Sequence, residues 1–310
     1  MLSYNKIAQY PVRFLAMTGY TVQEFQALLP YFRVRFEAHV ATTRLDGQAR
    51  TKRRYCSYQN SPLPSVEDKL LFILVYLKQG SLQQNLAALF EMTQPKANVW
   101  LHLLHPLLNQ ALTDAAALPE RRTVVPPVAA ETVAVYFHDG TERPIPRPKD
   151  QEKQKLYYSG KKKRHTLKNI VVIDADCHIL LLTLTCEGKK HDKKAADEAG
   201  YQLPEGSQLG QDNGFQGFVM TGVSLIQPTK KPRGKELTAT EKERNRLIAK
   251  IRVRVEHAIG GVKRYRIVKD TIRAWKNNFR DKVMETCCGL HNFRLRFRPW
   301  HYETISFKSV

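Results

Sequence analysis

The 310-residue sequence has few cysteines, few acidic residues and no long apolar run. Five cysteines, an odd number without a Cys-x-x-Cys pair, argue against a disulfide framework and for a reducing compartment. No stretch approaches the roughly 20 apolar residues that span a bilayer, and Met1–Lys6 lacks the apolar segment of a signal peptide. We therefore expect a cytoplasmic protein without membrane contact.

The shortage of acidic residues gives the chain a strong positive charge. Lys and Arg number 50 against 29 Asp and Glu, so the net charge is +21, and the excess runs along the whole chain. A hydrophobic content of 42% is ordinary for a folded protein, so disorder is not expected. This balance favours a polyanionic partner such as nucleic acid. A basic protein without such a partner is the alternative.

The N-terminal part, residues 1–60, is predicted to be a small, helical, basic region. Thr21 and Glu24 have capping-box spacing, and we expect their helix to run through Leu29 and to end at Pro30. The basic stretch around Lys52 and Arg53 fits either a linker or an arm that contacts phosphates, and both readings remain open.

Residues 61–117 are predicted to form three helices, of which the second and third are joined by a short turn. The third helix opens with polar Gln94, Lys96 and Asn98. A helix-turn-helix unit places the start of its second helix in the DNA major groove, where these three side chains would lie. An ordinary three-helix bundle is the alternative, and the positive charge favours DNA.

After a proline-rich linker, residues 118–131, the periodicity changes to that of an α/β domain, residues 132–298, followed by a tail, 299–310. The element order is strand, hairpin, helix, strand, a short helix over 214–221, strand and long helix. This order predicts a ribonuclease-H-like fold, a five-stranded mixed sheet flanked by helices. The first strand, near 133–137, would be central and would end at Asp139.

Three carboxylates are placed to meet at one edge of this sheet. Asp139 ends the first strand, Asp212 ends the fourth, and Glu256 lies on a long helix that begins near Thr238. Alone, each aspartate fits a common turn and Glu256 fits a surface pair with Arg252. Together they are hard oxygen ligands suited to two Mg²⁺ or Mn²⁺ ions, a set that cuts phosphodiesters. The positive charge needed around such a site would come from Arg252, Lys263, Lys161, Lys162, Lys163 and Arg164.

Two further features near these residues have more than one interpretation. Asp192 follows His191 at the start of a predicted helix, where it is either an N-terminal helix charge or a helper of the site. Cys287, Cys288 and His291 fit buried helix residues better than a zinc site, because no fourth ligand with zinc spacing accompanies them.

At these motifs the chain resembles DDE transposases of the insertion sequence five family, whose relatives include the Harbinger type. The resemblance covers about residues 65–295. It rests on these stretches: His138-Asp139-Gly140-Thr-Glu142, His191-Asp192, Asp212-Asn-Gly-Phe-Gln-Gly217 and Arg252-Val-Arg-Val-Glu256-His-Ala-Ile-Gly-Gly-Val-Lys263.

The resemblance implies that Asp139, Asp212 and Glu256 are a catalytic, metal-binding triad, and that Arg252 and Lys263 contact phosphates of the transposon ends. It implies binding to double-stranded terminal inverted repeats, hydrolysis at the ends and joining of the 3′-hydroxyls to target DNA. A homodimer or higher assembly at the bacterial nucleoid and no small-molecule substrate are expected. The alternatives are an endonuclease on this fold without strand transfer, and a non-catalytic DNA-binding protein derived from a transposase.

Overall fold

The computed structural model describes residues 1–51, 54–58, 60–121, 133–274 and 278–302. The chain divides into two compact units, one of Met1–Leu118 with Val262–Phe297 and the other of Pro119–Gly261 with Arg298–Val310. Lys52 and Arg53 of the predicted basic arm lie outside the described residues, as do most of the predicted linker and tail.

The first unit is helical, and the second contains the β-strands. In chain order the elements are α1 (Tyr4–Ile7), α2 (Pro11–Thr18), α3 (Val22–Thr42), α4 (Val66–Gln79), α5 (Gln83–Leu89), α6 (Gln94–Asp114), β1 (Val135–Pro144), α7 (Gln151–Tyr157), β2 (Tyr158–Ser159), β3 (Arg164–Ile173), β4 (Ile179–Leu182), β5 (Cys186–Glu187), α8 (Asp192–Ala199), β6 (Gln208–Gly210), β7 (Ser224–Ile226), α9 (Ala239–Lys263), α10 (Arg266–Lys269) and α11 (Phe279–Leu295).

Helix α3 corrects the prediction that the helix capped by Thr21 and Glu24 ends at Pro30. Thr21 and Glu24 form the expected capping box, but the helix continues to Thr42 with Pro30 inside it. An internal proline costs about 3 kcal/mol. Burial of one apolar face at helical spacing offsets this cost. The buried apolar residues of that face are Phe25, Leu28, Phe32, Phe36 and Val40.

Helices α4, α5 and α6 form the predicted three-helix region. Ser65 caps α4 through a capping box with Asp68, and Gly80 ends it in the left-handed conformation, the usual αL stop. The α5–α6 turn also contains a left-handed residue, Glu91, with φ 51°. Pro95 sits in the first turn of α6, where its missing N–H costs nothing.

Helix α11 belongs to the helical unit, whereas the sequence analysis places it in the α/β domain, residues 132–298. His105 Nε2 and Asn109 Nδ2 of α6 lie 3.1 and 3.0 Å from the Thr286 hydroxyl of α11. The Tyr20 hydroxyl donates to the Leu290 carbonyl at 2.7 Å. These polar contacts join α11 to other residues of the helical unit, so the last predicted helix packs in that unit.

The sheet confirms the predicted mixed α/β fold. Strand β1 pairs antiparallel with β3 on one side and parallel with β6 on the other, and β7 continues the sheet parallel to β6. Strand β4 pairs with β3 and completes the five predicted strands, while the two-residue strands β2 and β5 also pair with β3. Within the described residues the sheet therefore has seven strands, of which five are the predicted ones.

Two predicted bounds in this unit change. Strand β1 runs to Pro144 because β3 pairs with it as far as Thr166, so Asp139 lies in the middle of the strand and not at its end. The helix predicted over 214–221 is a single 3-10 turn, Asn213–Phe215.

Helix α9 begins where the sequence predicts. Thr238 and Glu241 exchange hydrogen bonds in a capping box before its first turn. Its apolar stripe is buried as expected at Ile248, Ile251 and Val255. No described helix of the chain combines the length and apolarity needed to cross a membrane.

Candidate active site

Asp139 and Asp212 form one row just beyond the parallel pairing of β1 with β6. Phe137 and Gly210 are direct partners in the parallel ladder. Asp139 stands two residues further along β1, and Asp212 stands two residues beyond the end of β6. Because His138 and Gln211 remain in contact beyond the ladder, the two aspartates come opposite each other on the same face. The approach is close, since a β-carbon at Gly210 would lie 2.6 Å from the Phe137 ring.

His138 and Gln211, the pair of residues just before the aspartates, point to the opposite face of the sheet and are held there by hydrogen bonds. The His138 Nε2 lies 3.0 Å from Gln211 Oε1, and its Nδ1 is hydrogen-bonded to the Tyr201 hydroxyl. The ring stacks on Phe215 at 3.8 Å. Burial lowers the pKa of His138 to about 3, so the ring is neutral and has a structural role.

The two aspartates repel each other. Burial, and then the nearby Asp212 carboxylate, raise the pKa of Asp139 to about 6. A backbone hydrogen bond partly compensates the negative charge of each carboxylate. Asp139 Oδ1 accepts a hydrogen bond from the Gly140 N–H, and Asp212 Oδ1 accepts one from the Gly214 N–H, both at 2.7 Å. The Arg252 guanidinium of α9 lies 3.8 Å from Asp212 Oδ2. The row is thus a partly neutralised anionic pair beside a cation.

Asp192, which the sequence leaves as either a helix charge or a helper, lies beside this row. A β-carbon at Gly140 would fall 2.5 Å from its Oδ1, and one at Gly214 would fall 3.2 Å from its Oδ2. Lys168 of β3 forms an ion pair with it at 2.7 Å. The signal available in the sequence is its pairing with His191 in a family motif, but the contact with Lys168 is not visible there.

Glu256 is not brought together with the aspartates. Its side chain is exposed, and it makes no hydrogen bond or ion pair among the described residues. It lies one helical turn beyond Arg252 on α9, about 6 Å along the axis. Within the described residues no three His, Cys, Asp or Glu side chains lie close enough to hold a metal ion. The expected triad therefore stays a prediction, with two of its members adjacent.

The basic residues predicted beside the site lie in the turn between β2 and β3 and at the first position of β3. Lys161, Lys162, Lys163 and Arg164 are all exposed, and Lys163 has a left-handed φ of 53°. Arg164 lies seven residues along β3 from Val171, the partner of Asp139. At the rise of a strand this is about 23 Å from the aspartate row. Lys263, half-buried, is the last residue of α9.

The predicted DNA-contacting residues of α6 are only partly available. Gln94 and Asn98 both donate to Gln83 Oε1 of α5, at 2.5 and 3.0 Å, and both are half-buried. Lys96 lies between them and is exposed. Gln94 and Asn98 thus hold the two helices together, and Lys96 presents a charge that is exposed to solvent.

The chain is similar to proteins described as transposases of insertion sequences. The chain is 26% identical over 235 residues to a protein of Microchaete diplosiphon described as "Probable transposase for insertion sequence element IS702", covering 75% of this chain and 82% of that protein. It is 29% identical over 208 residues to the "Putative transposase for insertion sequence element IS112" of Streptomyces albus G, covering 66% of this chain and 72% of the relative. No solved structure matches the chain.

Two family models match the chain. Residues 61–114 match the helix-turn-helix of DDE superfamily endonuclease, which confirms the helix-turn-helix reading of α4–α6 over a plain three-helix bundle. Residues 138–292, half of the chain, match the DDE superfamily endonuclease and include Asp139, Asp212 and Glu256. The resemblance drawn from the sequence motifs is thereby confirmed, and the chain belongs to the DDE superfamily of endonucleases.

Proposed function

We propose that this chain is the DNA transposase of an insertion sequence. It binds the terminal inverted repeats, hydrolyses phosphodiester bonds at the element's ends and transfers the 3′-hydroxyl ends to target DNA. The observation that carries the proposal is the row of Asp139 and Asp212, fixed opposite each other by the β1–β6 register and flanked by Arg252. The transposase names of two relatives support it.

The donor chemistry of this row fits Mg²⁺ or Mn²⁺. Carboxylate oxygens are the ligands that these hard cations prefer. The charge of Asp212 is among the causes that raise the pKa of Asp139, and a divalent cation relieves such repulsion. Two bound ions would activate a water or a 3′-hydroxyl and stabilise the leaving oxygen. Asp139, Asp212 and Glu256 would hold these ions, so the proposal includes an approach of Glu256 to the pair.

Arg252 suits the binding of a DNA phosphate beside the aspartates. Its Nε is buried and has no hydrogen-bond partner within the described part of the chain. Its contact with Asp212, at 3.8 Å, is longer than a hydrogen bond. Guanidinium donors bind phosphate oxygens strongly. We assign the same partner to Lys263 on the family resemblance alone.

Two other basic surfaces give the DNA further contacts. We propose that α6 enters the major groove with Lys96 foremost, and that Gln94 and Asn98 contribute mainly by holding α5 against α6. The β2–β3 turn, Lys161–Arg164, would contact phosphates about 23 Å from the aspartate row, roughly two-thirds of a DNA turn. Contacts of this kind add affinity without reading sequence.

Transposition requires two DNA ends to be processed together, so we propose a homodimer or a higher assembly on DNA. An endonuclease without strand transfer and a non-catalytic DNA-binding protein are the competing functions. The deciding experiment incubates the purified protein with labelled DNA carrying the element's own ends and with a target plasmid, in Mg²⁺ and in EDTA.

Each outcome selects one function. End cleavage with joined products, both dependent on Mg²⁺, supports the transposase. Cleavage without joined products supports the endonuclease, and binding to the ends without any cleavage supports the non-catalytic protein. Either of the last two results overturns the proposal.

A further inference from the structure

Lys168 and Asp192 form an ion pair that is shielded from solvent. The Lys168 Nζ lies 2.7 Å from Asp192 Oδ1, and the two side chains are 6% and 16% exposed. The same ammonium donates to the Lys190 carbonyl at 2.5 Å and lies 3.8 Å from Glu142 Oε1. A buried ammonium needs such partners, since desolvation penalises an unpaired charge. The pair is therefore fixed on three sides, by β3, by β1 and by the segment that leads into α8.

The Asp192 carboxylate also lies against the two segments that carry the catalytic candidates. Gly140 follows Asp139 directly, and Gly214 stands two residues after Asp212. A β-carbon at either glycine would approach Asp192 oxygens, at 2.5 Å for Gly140 and 3.2 Å for Gly214. Real β-carbons essentially never come within 3.0 Å of another heavy atom in this way. Asp192 therefore touches the backbone of both segments, and a larger residue than glycine at position 140 would displace it.

We propose that the Lys168–Asp192 ion pair is the positioning device of this site, holding the Asp139 and Asp212 segments at the separation that their shared chemistry needs. Asp192 acts through the backbone at Gly140 and Gly214, and Lys168 fixes Asp192. This inference rests on the proposed function, because the separation matters only if the two aspartates share an ion or a phosphate.

A second ion pair of the same helix provides a comparison. Lys193 and Asp197 are 2.6 Å apart on α8, and their side chains are 38% and 42% exposed. The pair has the same chemistry but is exposed to solvent, where such contacts contribute little. If α8 simply required ion pairs or an acidic residue, removing Asp197 would have an effect similar to removing Asp192.

The test uses the full-length protein and three measurements: Mn²⁺ binding by calorimetry, thermal unfolding by circular dichroism, and cleavage of labelled transposon ends. The central variant is Asp192→Asn, which keeps the shape of the side chain and removes its charge. Lys168→Met removes the other partner, Lys168→Arg keeps the charge, and Asp197→Asn is the matched control. Gly140→Ala and Gly140→Ala/Asp192→Ala test the contact with the backbone.

We expect Asp192→Asn and Lys168→Met to lower Mn²⁺ affinity and the cleavage rate by about 10- to 100-fold, as changes to partners of metal ligands do. Lys168→Arg should recover most of this loss, and Asp197→Asn should stay within about 2-fold of wild type. Gly140→Ala should lower the unfolding temperature, and the added Asp192→Ala should restore it without restoring cleavage. That last pattern separates positioning from a merely structural contact.

The contrary results are distinct. If wild type binds Mn²⁺ and cleaves DNA while Asp192→Asn does both equally well, the positioning role is overturned and the proposed function stands. Unfolding temperatures that are simply additive in the Gly140/Asp192 pair overturn the backbone contact. A wild-type protein that neither binds Mn²⁺ nor cleaves overturns the proposed function and, with it, the role of the pair.

Discussion

His138 Nε2 donates a hydrogen bond to Gln211 Oε1 at 3.0 Å, across the row that precedes Asp139 and Asp212. This bond belongs to a series of hydrogen bonds that ends at the Asp212 backbone. Gln211 Nε2 donates to Gln227 Oε1 at 3.3 Å, and Gln227 Nε2 donates to the Asp212 carbonyl at 2.9 Å. These hydrogen bonds fix the backbone of Asp212 relative to β1, so the position of the two aspartates depends on uncharged side chains on the other face of the sheet.

Gln211→Leu tests this dependence. The change leaves the buried Nε2–H of His138 without its acceptor, and an unsatisfied buried donor costs about 1–3 kcal/mol. We expect the free energy of unfolding to fall by that amount in urea titrations and DNA cleavage to fall with it. Gln216→Leu, at an exposed glutamine of the same loop, should change neither. If Gln211→Leu were as stable as wild type, the hydrogen bonds of His138, Gln211 and Gln227 would not be what positions the aspartates.

The helical unit should lose stability in acid through His105. Burial lowers the pKa of His105 to about 3, far below that of an unfolded histidine. The unfolded state therefore binds the extra proton first, so stability is fully present above about pH 6.5 and declines as pH falls towards 3. Between pH 6.5 and 5 this amounts to about 2 kcal/mol.

Urea unfolding of wild type and His105→Gln at pH 7 and pH 5 measures this loss. Glutamine retains a polar atom near the Thr286 hydroxyl and takes up no proton, so its stability should fall less between the two pH values. His102→Gln is the control, because His102 is exposed and also contacts the Phe279 ring. Equal pH dependence in wild type and His105→Gln would contradict the assignment.

The β2–β3 turn should contribute to DNA affinity through charge alone. Replacing Lys161, Lys162 and Lys163 by alanine removes three exposed cations. Each lost phosphate contact should reduce the slope of log K against log salt by about 0.9, for any DNA sequence. Fluorescence anisotropy over a salt series gives this slope.

Lys155→Ala is the matched control for the turn, because Lys155 is exposed in the neighbouring helix α7 but already paired with Glu152 at 2.8 Å. Its slope should equal that of wild type. A triple variant with an unchanged slope would remove the turn from the DNA-binding surface.

The sequence predicts the mixed sheet because the order of its strands and helices follows from local periodicity. Strand order sets the mixed sheet, and the parallel pairing of β1 with β6 brings Asp139 next to Asp212. A local rule for proline predicts the wrong end for α3 because it ignores the burial of the helix face around Pro30. Strand β1 is longer than its apolar run because β3 pairs with its polar half as well.

Asp192 and Glu256 show the limit of such reasoning. The contact of Asp192 with Lys168 joins residues 24 positions apart, and its approach to Gly140 and Gly214 depends on the packing of α8. Helical periodicity places Glu256 on the same side of α9 as Arg252, but it does not say which side chain reaches the aspartates. In the structure Arg252 lies next to Asp212 and Glu256 is exposed.

The most direct test of the central claim compares Glu256→Gln with Glu243→Gln in the transposon-end cleavage assay in Mn²⁺. Both glutamates are exposed on α9, and Glu243 is paired only with Arg246 among the described residues. We predict that Glu256→Gln abolishes cleavage, together with Asp139→Asn and Asp212→Asn, while all retain DNA binding and Glu243→Gln cleaves like wild type. Cleavage by Glu256→Gln at the wild-type rate would contradict the assignment of Glu256 to the site.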